Sequence, residues 1–298
     1  MLTVDGVNLG LQTGSEGTVV VNPGPAGAAQ AVSAAIRSIS DQPIRFIIDT
    51  SADAELTGGN AAIAGTGQNL AGLAGFNLVN GVDTPQEGHA ASIVGTQAVL
   101  QDLILRGQTD AAALPTETFT RPQYDFYLNG QGIDVIAEPR AHSDADSVVL
   151  FRRSDVLVTG ALLDMTHWPV IDVAHGGGIN GEIDAINRIM NTLVDSPAPI
   201  LRENEGTLVI PVRGPVCDQA DLLAYRDMLW AVRERVQYGI EHGKSLAQIE
   251  ASDPTQGYNT RYGADGGAWS THDFIAAVYK SLQATERAHG RNNAGAEP

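Results

Sequence analysis

The chain has one cysteine, Cys217, among 298 residues. That excludes an internal disulfide and says nothing more about compartment, so a buried structural thiol is the default reading of Cys217. Long apolar runs are also missing. With no stretch of about twenty apolar residues, no segment is expected to span a membrane. The opening residues, MLTVDGVNLGLQTGSEG, show neither a basic n-region nor an apolar h-region. No signal peptide is therefore visible, and a soluble, cytoplasmic location is the default expectation. Basic residues are few, 18 Lys and Arg against 35 Asp and Glu, for a formal charge of −17. Phosphate backbones are bound by clustered Lys and Arg, so nucleic acid is not expected as a partner.

What the chain does have is enough apolar sequence to bury a large core, in an alternation of strand and helix patterns typical of layered α/β proteins. Thr18 to Val21 and Ile44 to Ile48 read as buried strands. They flank a helix with Val32, Ala35, Ile36 and Ile39 on one face. Further strands are expected at Tyr124 to Leu128, Ile133 to Ile136, Ser147 to Phe151, Val156 to Thr159 and Thr207 to Ile210. Ile183, Ile186, Met190 and Leu193 mark a second helix face; Leu222, Tyr225, Leu229, Val232, Val236 and Ile240 mark a third. Core packing explains all these stripes. The Gly- and Ala-rich segment from Gly58 to Gly81 reads as loop and short helix. Gly65, Gly67 and Gly176 to Gly178 read as turns, because none fits the G-x-x-x-x-G-K-[ST] phosphate loop. Arg291 to Pro298 reads as a disordered tail.

The most informative segment is Asp49 to Asn60, DTSADAELTGGN. It resembles the signature of the metallo-β-lactamase superfamily, in which Asn/Asp-Thr ends a strand, His-x-His-x-Asp-His follows, and Thr-Gly-Gly-Asn opens the next helix. The frame residues Asp49, Thr50, Thr57, Gly58, Gly59 and Asn60 are present. At the ligand positions stand Ser51, Asp53, Glu55 and Leu56. Three further segments resemble family motifs in the family's order. AHSDADSVVLF, Ala141 to Phe151, keeps the ligand histidine as His142, followed by Asp144 and Asp146. VLVTGALLDM, Val156 to Met165, has Ala161 where the bridging Asp is expected. LVIPVRGPVCD, Leu208 to Asp218, has Arg213 at the last His position. The resemblance runs from about Gly10 to Leu282, including the segment from Gly257 that resembles one branch of hydrolase-like members.

The resemblance implies an αββα sandwich: two mixed β-sheets packed face to face with helices outside. It implies a single domain over residues 1–290, with a helical extension over about 218–290. Relatives often carry more strand before the first one here, which raises the expectation of a missing N-terminal piece. In the family, three His hold one zinc, while Asp, two His and a bridging Asp hold a second, and a hydroxide between them attacks the substrate. Each ion needs several donors and an open position for water.

Leu56 and Ala161 offer no donor, and Arg213 carries a permanent positive charge that repels a cation. The family's dizinc hydrolysis is therefore expected to be absent, with no cofactor and a small-molecule or protein ligand in a degenerate pocket. On this reading Arg213 fills the vacated second site and pairs with Glu55 or Asp53. A second reading retains one divalent metal, zinc, iron or manganese, on the remnant set Asp53, Glu55 and His142, and with it a hydrolase acting on ester, thioester or β-lactam bonds. A third takes Ser51, Asp53 and His142 as a hydrolytic triad. Its geometry is unfavourable, because metal-ligand positions aim Ser51 and Asp53 at the same ring nitrogen.

The remaining histidines have ordinary readings. His167 and His175 are solvated loop residues or line a pocket mouth, His89 has no obvious partner, and His242 suits a helix C-terminus. His272 and His289 read as surface residues, and Trp168, Trp230 and Trp269 as core or pocket wall.

Overall fold

The computed structural model describes residues 1–70, 90–192, 206–263 and 269–294. Residues from 71 of the Gly- and Ala-rich segment, His89 and Leu193 lie outside the described residues, as does the side chain of His289. Among the described residues the strands form two mixed sheets, of six and five strands, and the other regular elements are helical. The chain divides into two compact units, Met1–Ala137 with Ser147–Ser154, and Glu138–Asp146 with Asp155–Pro298.

The first unit begins with β1 (Leu2–Val4), β2 (Val7–Gly14), β3 (Gly17–Val21), α1 (Ala29–Ile39) and β4 (Ile44–Ile48). It continues through α2 (Ala54–Thr57), α3 (Asn60–Ala64), β5 (Ser92–Thr96), α4 (Gln97–Leu105) and β6 (Glu117–Phe119). The hairpin β7 (Gln123–Leu128) and β8 (Gln131–Ala137) follows, then β9 (Ser147–Phe151). Strands β1 to β6 lie in chain order, antiparallel from β1 to β3 and parallel from β3 to β6. Parallel strands covered on both faces must be apolar throughout, and β3 and β5 are buried at every residue. Helix α1 crosses from β3 to β4 with Val32 and Ile36 buried. Ile39, expected on the same face, is 54% exposed, because the helix ends there and Ser40 is already extended.

Strands β7, β8 and β9 form an antiparallel meander. The turn from β7 to β8 is Asn129-Gly130, with φ of 53° and 73°, the two left-handed positions that a tight hairpin turn demands. Within this unit the rings of Phe46 on β4 and Phe126 on β7 stand 4.6 Å apart, tilted by 40°.

The second unit holds β10 (Val156–Val158), α5 (Ile179–Thr192), β11 (Leu208–Ile210), α6 (Gln219–Glu241), α7 (Leu246–Glu250), α8 (Asn259–Tyr262) and α9 (Thr271–Ala294). Strands β10 and β11 pair in parallel. Asp218 and Asp221 close a capping box at the start of α6, and Leu222, Tyr225, Leu229, Val232 and Val236 are buried along it. Trp168 is a core residue, stacked 4.8 Å from Phe274 and donating from Nε1 to Thr271 Oγ1 at 2.9 Å. Trp230 is not, being 44% exposed on the outer side of α6 beneath the Arg233 guanidinium. Helix α9 runs to Ala294, so the first residues of the expected tail are helical. No helix among the described residues is long and apolar enough to cross a membrane.

Candidate functional site

In the first unit the retained frame of DTSADAELTGGN is a packing device. An added Cβ would lie 2.6 Å from Ala26 N at Gly58 and 2.8 Å from Pro23 O at Gly59. Only glycine lets the α2–α3 corner press so closely on the Asn22 to Ala26 loop. Asn22, itself at φ 60°, accepts from the Thr50 amide (3.0 Å) and hydroxyl (2.9 Å). Asn60 donates to Asp49 Oδ2 (2.8 Å) and to the Ala113 carbonyl (2.9 Å). Asp49 is wholly enclosed, and burial pushes its carboxyl up to about 8 against the pull of the Asn60 hydrogen bond. It therefore holds its proton at neutral pH.

The ligand positions diverge from this frame one by one. Ser51 is buried, and its Oγ accepts from the Asp53 amide at 3.2 Å. Asp53 stands at the start of α2 without a side-chain capping bond, and its carboxylate meets Arg106 Nη1 at 3.4 Å, while Arg106 also binds Asp102 at 2.9 Å. Glu55 stands half-buried in the first turn of α2. Leu56 is fully buried, and its carbonyl accepts from Gly24 at 3.0 Å. Arg106 had no signal in the sequence, since the residue lies 53 positions from Asp53 at the end of another helix.

In the second unit His142 is buried, with Nδ1 3.0 Å from Asp146 Oδ1. Asp146 also accepts from the Ser143 amide (2.6 Å) and hydroxyl (3.1 Å). The carboxylate fixes the ring through Nδ1, the arrangement that orients metal-bound and catalytic imidazoles alike. Glycines of the 176–178 run and the first turn of α5 hold this loop from behind. An added Cβ at Gly177 would sit 1.9 Å from the His142 carbonyl oxygen, and one at Gly181 would sit 1.7 Å from that of Arg140.

Glu182, on α5, is fully buried, and among the described residues neither carboxyl oxygen has a hydrogen-bond partner. Burial first, then the nearby Asp146 and Glu138 charges, raise its carboxyl well above the usual range against the effect of His142. Its place in the apolar run Ile179, Glu182, Ile183, Ile186 is a signal that the sequence offered. Glu138 is raised by burial too, although Arg188 binds it.

Ala161, half-buried, follows β10 in a short 3-10 turn. Three residues on, Asp164 pairs with Arg213, Nη1 to Oδ2 at 3.4 Å, and the two backbones form a bridge. His167 shares that carboxylate, and His175 pairs with Asp172 at 2.7 Å. Cys217 is buried beside β11, its Sγ 3.6 Å from the Val209 carbonyl oxygen, and burial pushes its thiol up to about 12. Thus Ser51, Asp53, Glu55 and Leu56 belong to the first unit, and His142, Ala161 and Arg213 to the second.

Leu56 and Ala161 carry no metal-ligating atom in their side chains, and Arg213 carries a fixed positive charge. Among the described residues, no group of three or more His, Cys, Asp and Glu is placed to hold a metal ion.

No protein-family model matches the chain, and no curated protein matches it in sequence. Solved structures do. A metallo-β-lactamase from Pontibacter korlensis aligns with a TM-score of 0.56 at 18% identity, over 75% of this chain and 87% of that one. The sec-alkylsulfatase Pisa1 from Pseudomonas sp. aligns at 0.64 and 12% identity, over 93% of this chain and 47% of its own. This chain has the metallo-β-lactamase fold. TMB-1 aligns similarly, at 0.54 and 13% identity over 76% of this chain and 89% of that one. The chain spans about half the length of the alkylsulfatase, a double mutant of which aligns at 0.68 and 13% identity over 94% and 48%.

Proposed function

We propose that this metallo-β-lactamase-fold protein is a ligand-binding pseudoenzyme without dizinc hydrolysis. Leu56 carries the reading. At a position where the family places a histidine ligand, an apolar side chain is fully buried, so the substitution is built into the core of the corner. Arg106 beside Asp53 supports it further, since a guanidinium supplies the positive charge that a metal would otherwise bring.

The alternative is a hydrolase with one divalent metal on Asp53, Glu55 and His142, and the His142–Asp146 pair favours it. Metal-bound imidazoles characteristically give their other nitrogen to a carboxylate. Substrate bonds of the ester, thioester or β-lactam type come from analogy with the fold alone.

Metal content after exposure to zinc, iron and manganese separates the two, with Asp53→Ala/His142→Ala as control. The pseudoenzyme reading expects no stoichiometric metal in either protein. Near-stoichiometric metal that disappears in the double variant would overturn it.

A further inference from the structure

We propose that the outer face of α6 docks a second copy of this chain, with the two α6 helices side by side and parallel. The inference goes beyond the ligand-binding reading and concerns a surface that the reading does not use.

Three kinds of side chain recur at seven-residue spacing along α6, the interval that returns to one face of a helix. Leu223 and Trp230, 41% and 44% exposed, form an apolar seam, about 10 Å apart along the axis. Arg226 and Arg233 stand about 40–60° to one side of Trp230, and Asp227 and Glu234 about as far to the other, at roughly 100° per residue. The arginines occupy the flank toward α5, where Arg226 Nη1 donates to Asn187 Oδ1 at 3.5 Å and Arg233 Nε to Asn180 Oδ1 at 3.1 Å. Each arginine also reaches round to the acid that follows it, Arg226 to Asp227 at 2.8 Å and Arg233 to Glu234. Pairs between adjacent, exposed residues hold little energy. A carboxylate has acceptor sites for more than one donor, so both acids can take a second guanidinium without giving up the first.

Apolar residues scattered singly on a surface are ordinary. What selects the occupant here is that the face complements itself, and does so in one orientation. With two α6 helices parallel about a two-fold axis, the basic flank of one copy lies against the acidic flank of the other. Arg226 then stands beside Asp227 of the second copy, and Arg233 beside Glu234, each offset by one residue rise of about 1.5 Å. Antiparallel helices would set arginine against arginine and acid against acid. Leu223 and Trp230 meet their own counterparts in the seam, and Trp and Arg are the residue types that concentrate binding energy at interfaces. One helix face covers less than the roughly 800 Å² per copy of a standard interface, so a reversible dimer with Kd on the order of 10–100 µM is expected. The charge of −17 on each chain opposes pairing at low salt, and at about 0.15 M salt screening confines that repulsion to about 8 Å.

The test is sedimentation of the full chain over about 5–500 µM protein in about 0.15 M salt, where a monomer–dimer equilibrium is expected. Trp230→Glu places a charge in the seam of both copies and should weaken the dimer at least tenfold. Val170→Glu, at an exposed apolar residue of the same unit away from α6, should leave it unchanged. Leu223→Cys should cross-link to itself under mild oxidation, because parallel helices bring the two copies of residue 223 together. An antiparallel pair centred on Trp230 would hold them about 20 Å apart, far beyond disulfide reach. A chain that stays monomeric throughout leaves the face to a different partner and overturns the proposal. So would a dimer that Trp230→Glu leaves intact, one that Val170→Glu weakens equally, or one in which Leu223→Cys does not cross-link. Should Trp230→Glu fail to fold, the Leu223→Cys cross-link decides.

Discussion

The imidazole of His142 is held through Nδ1 by Asp146 at 3.0 Å, with both side chains buried. Removing the acceptor breaks the buried contacts to the His142 ring and to the Ser143 amide. Asp146→Ala is therefore expected to cost about 2–4 kcal/mol of stability, read from urea denaturation at neutral pH. A loss below about 0.5 kcal/mol would mean that water replaces the carboxylate without cost.

Leu56→His would restore a ligand letter but not a ligand. The imidazole would enter a fully buried apolar position, so a loss of about 2–4 kcal/mol with no gain in bound zinc is expected. Denaturation curves and metal analysis of the same sample check both halves.

Asp49 makes stability depend on pH in a direction opposite to that of most carboxylates. Its folded value is raised to about 8 from 3.8, so from about pH 4 upward the unfolded chain gives up a proton that the folded one keeps. The stabilisation is complete below the unfolded value and drains away as pH rises toward 8. Asp49→Asn should match wild type near pH 4 and exceed it by on the order of 5 kcal/mol at pH 7.5. Parallel stability curves for the two proteins would remove Asp49 from this role.

Gly177→Ala should displace the His142 loop, because the new methyl would occupy the space of a backbone carbonyl oxygen. A loss of about 3 kcal/mol or more, with shifted His142 ring NMR signals, is expected. Gly6→Ala, where a Cβ meets nothing but φ is 79°, should cost about 1 kcal/mol and leave those signals alone.

Much of the first unit was legible. Ile44–Ile48 and Ser147–Phe151 fall where the apolar runs place them, since buried strands admit few polar residues. Strand β5, SIVGT, and helix α4 carried weaker signals: the strand has only two large apolar residues beside Ser, Gly and Thr, and the helix leaves Ile104 and Leu105 exposed, so its apolar letters do not share one face. Within the candidate site, the frame positions could be read because the glycines and the polar residues that brace the corner keep fixed spacing. Arg106, Asp164 and Glu182 could not be placed on Asp53, Arg213 and the His142 loop, because only tertiary packing brings such distant residues together.

The single thiol offers a use of its own. Cys217 sits under β11 at the entrance to α6, and its raised value leaves almost no thiolate while the fold is closed. A disulfide reagent can react there only when this junction opens. Its rate would therefore clock local opening against global unfolding, at one site and without any added label.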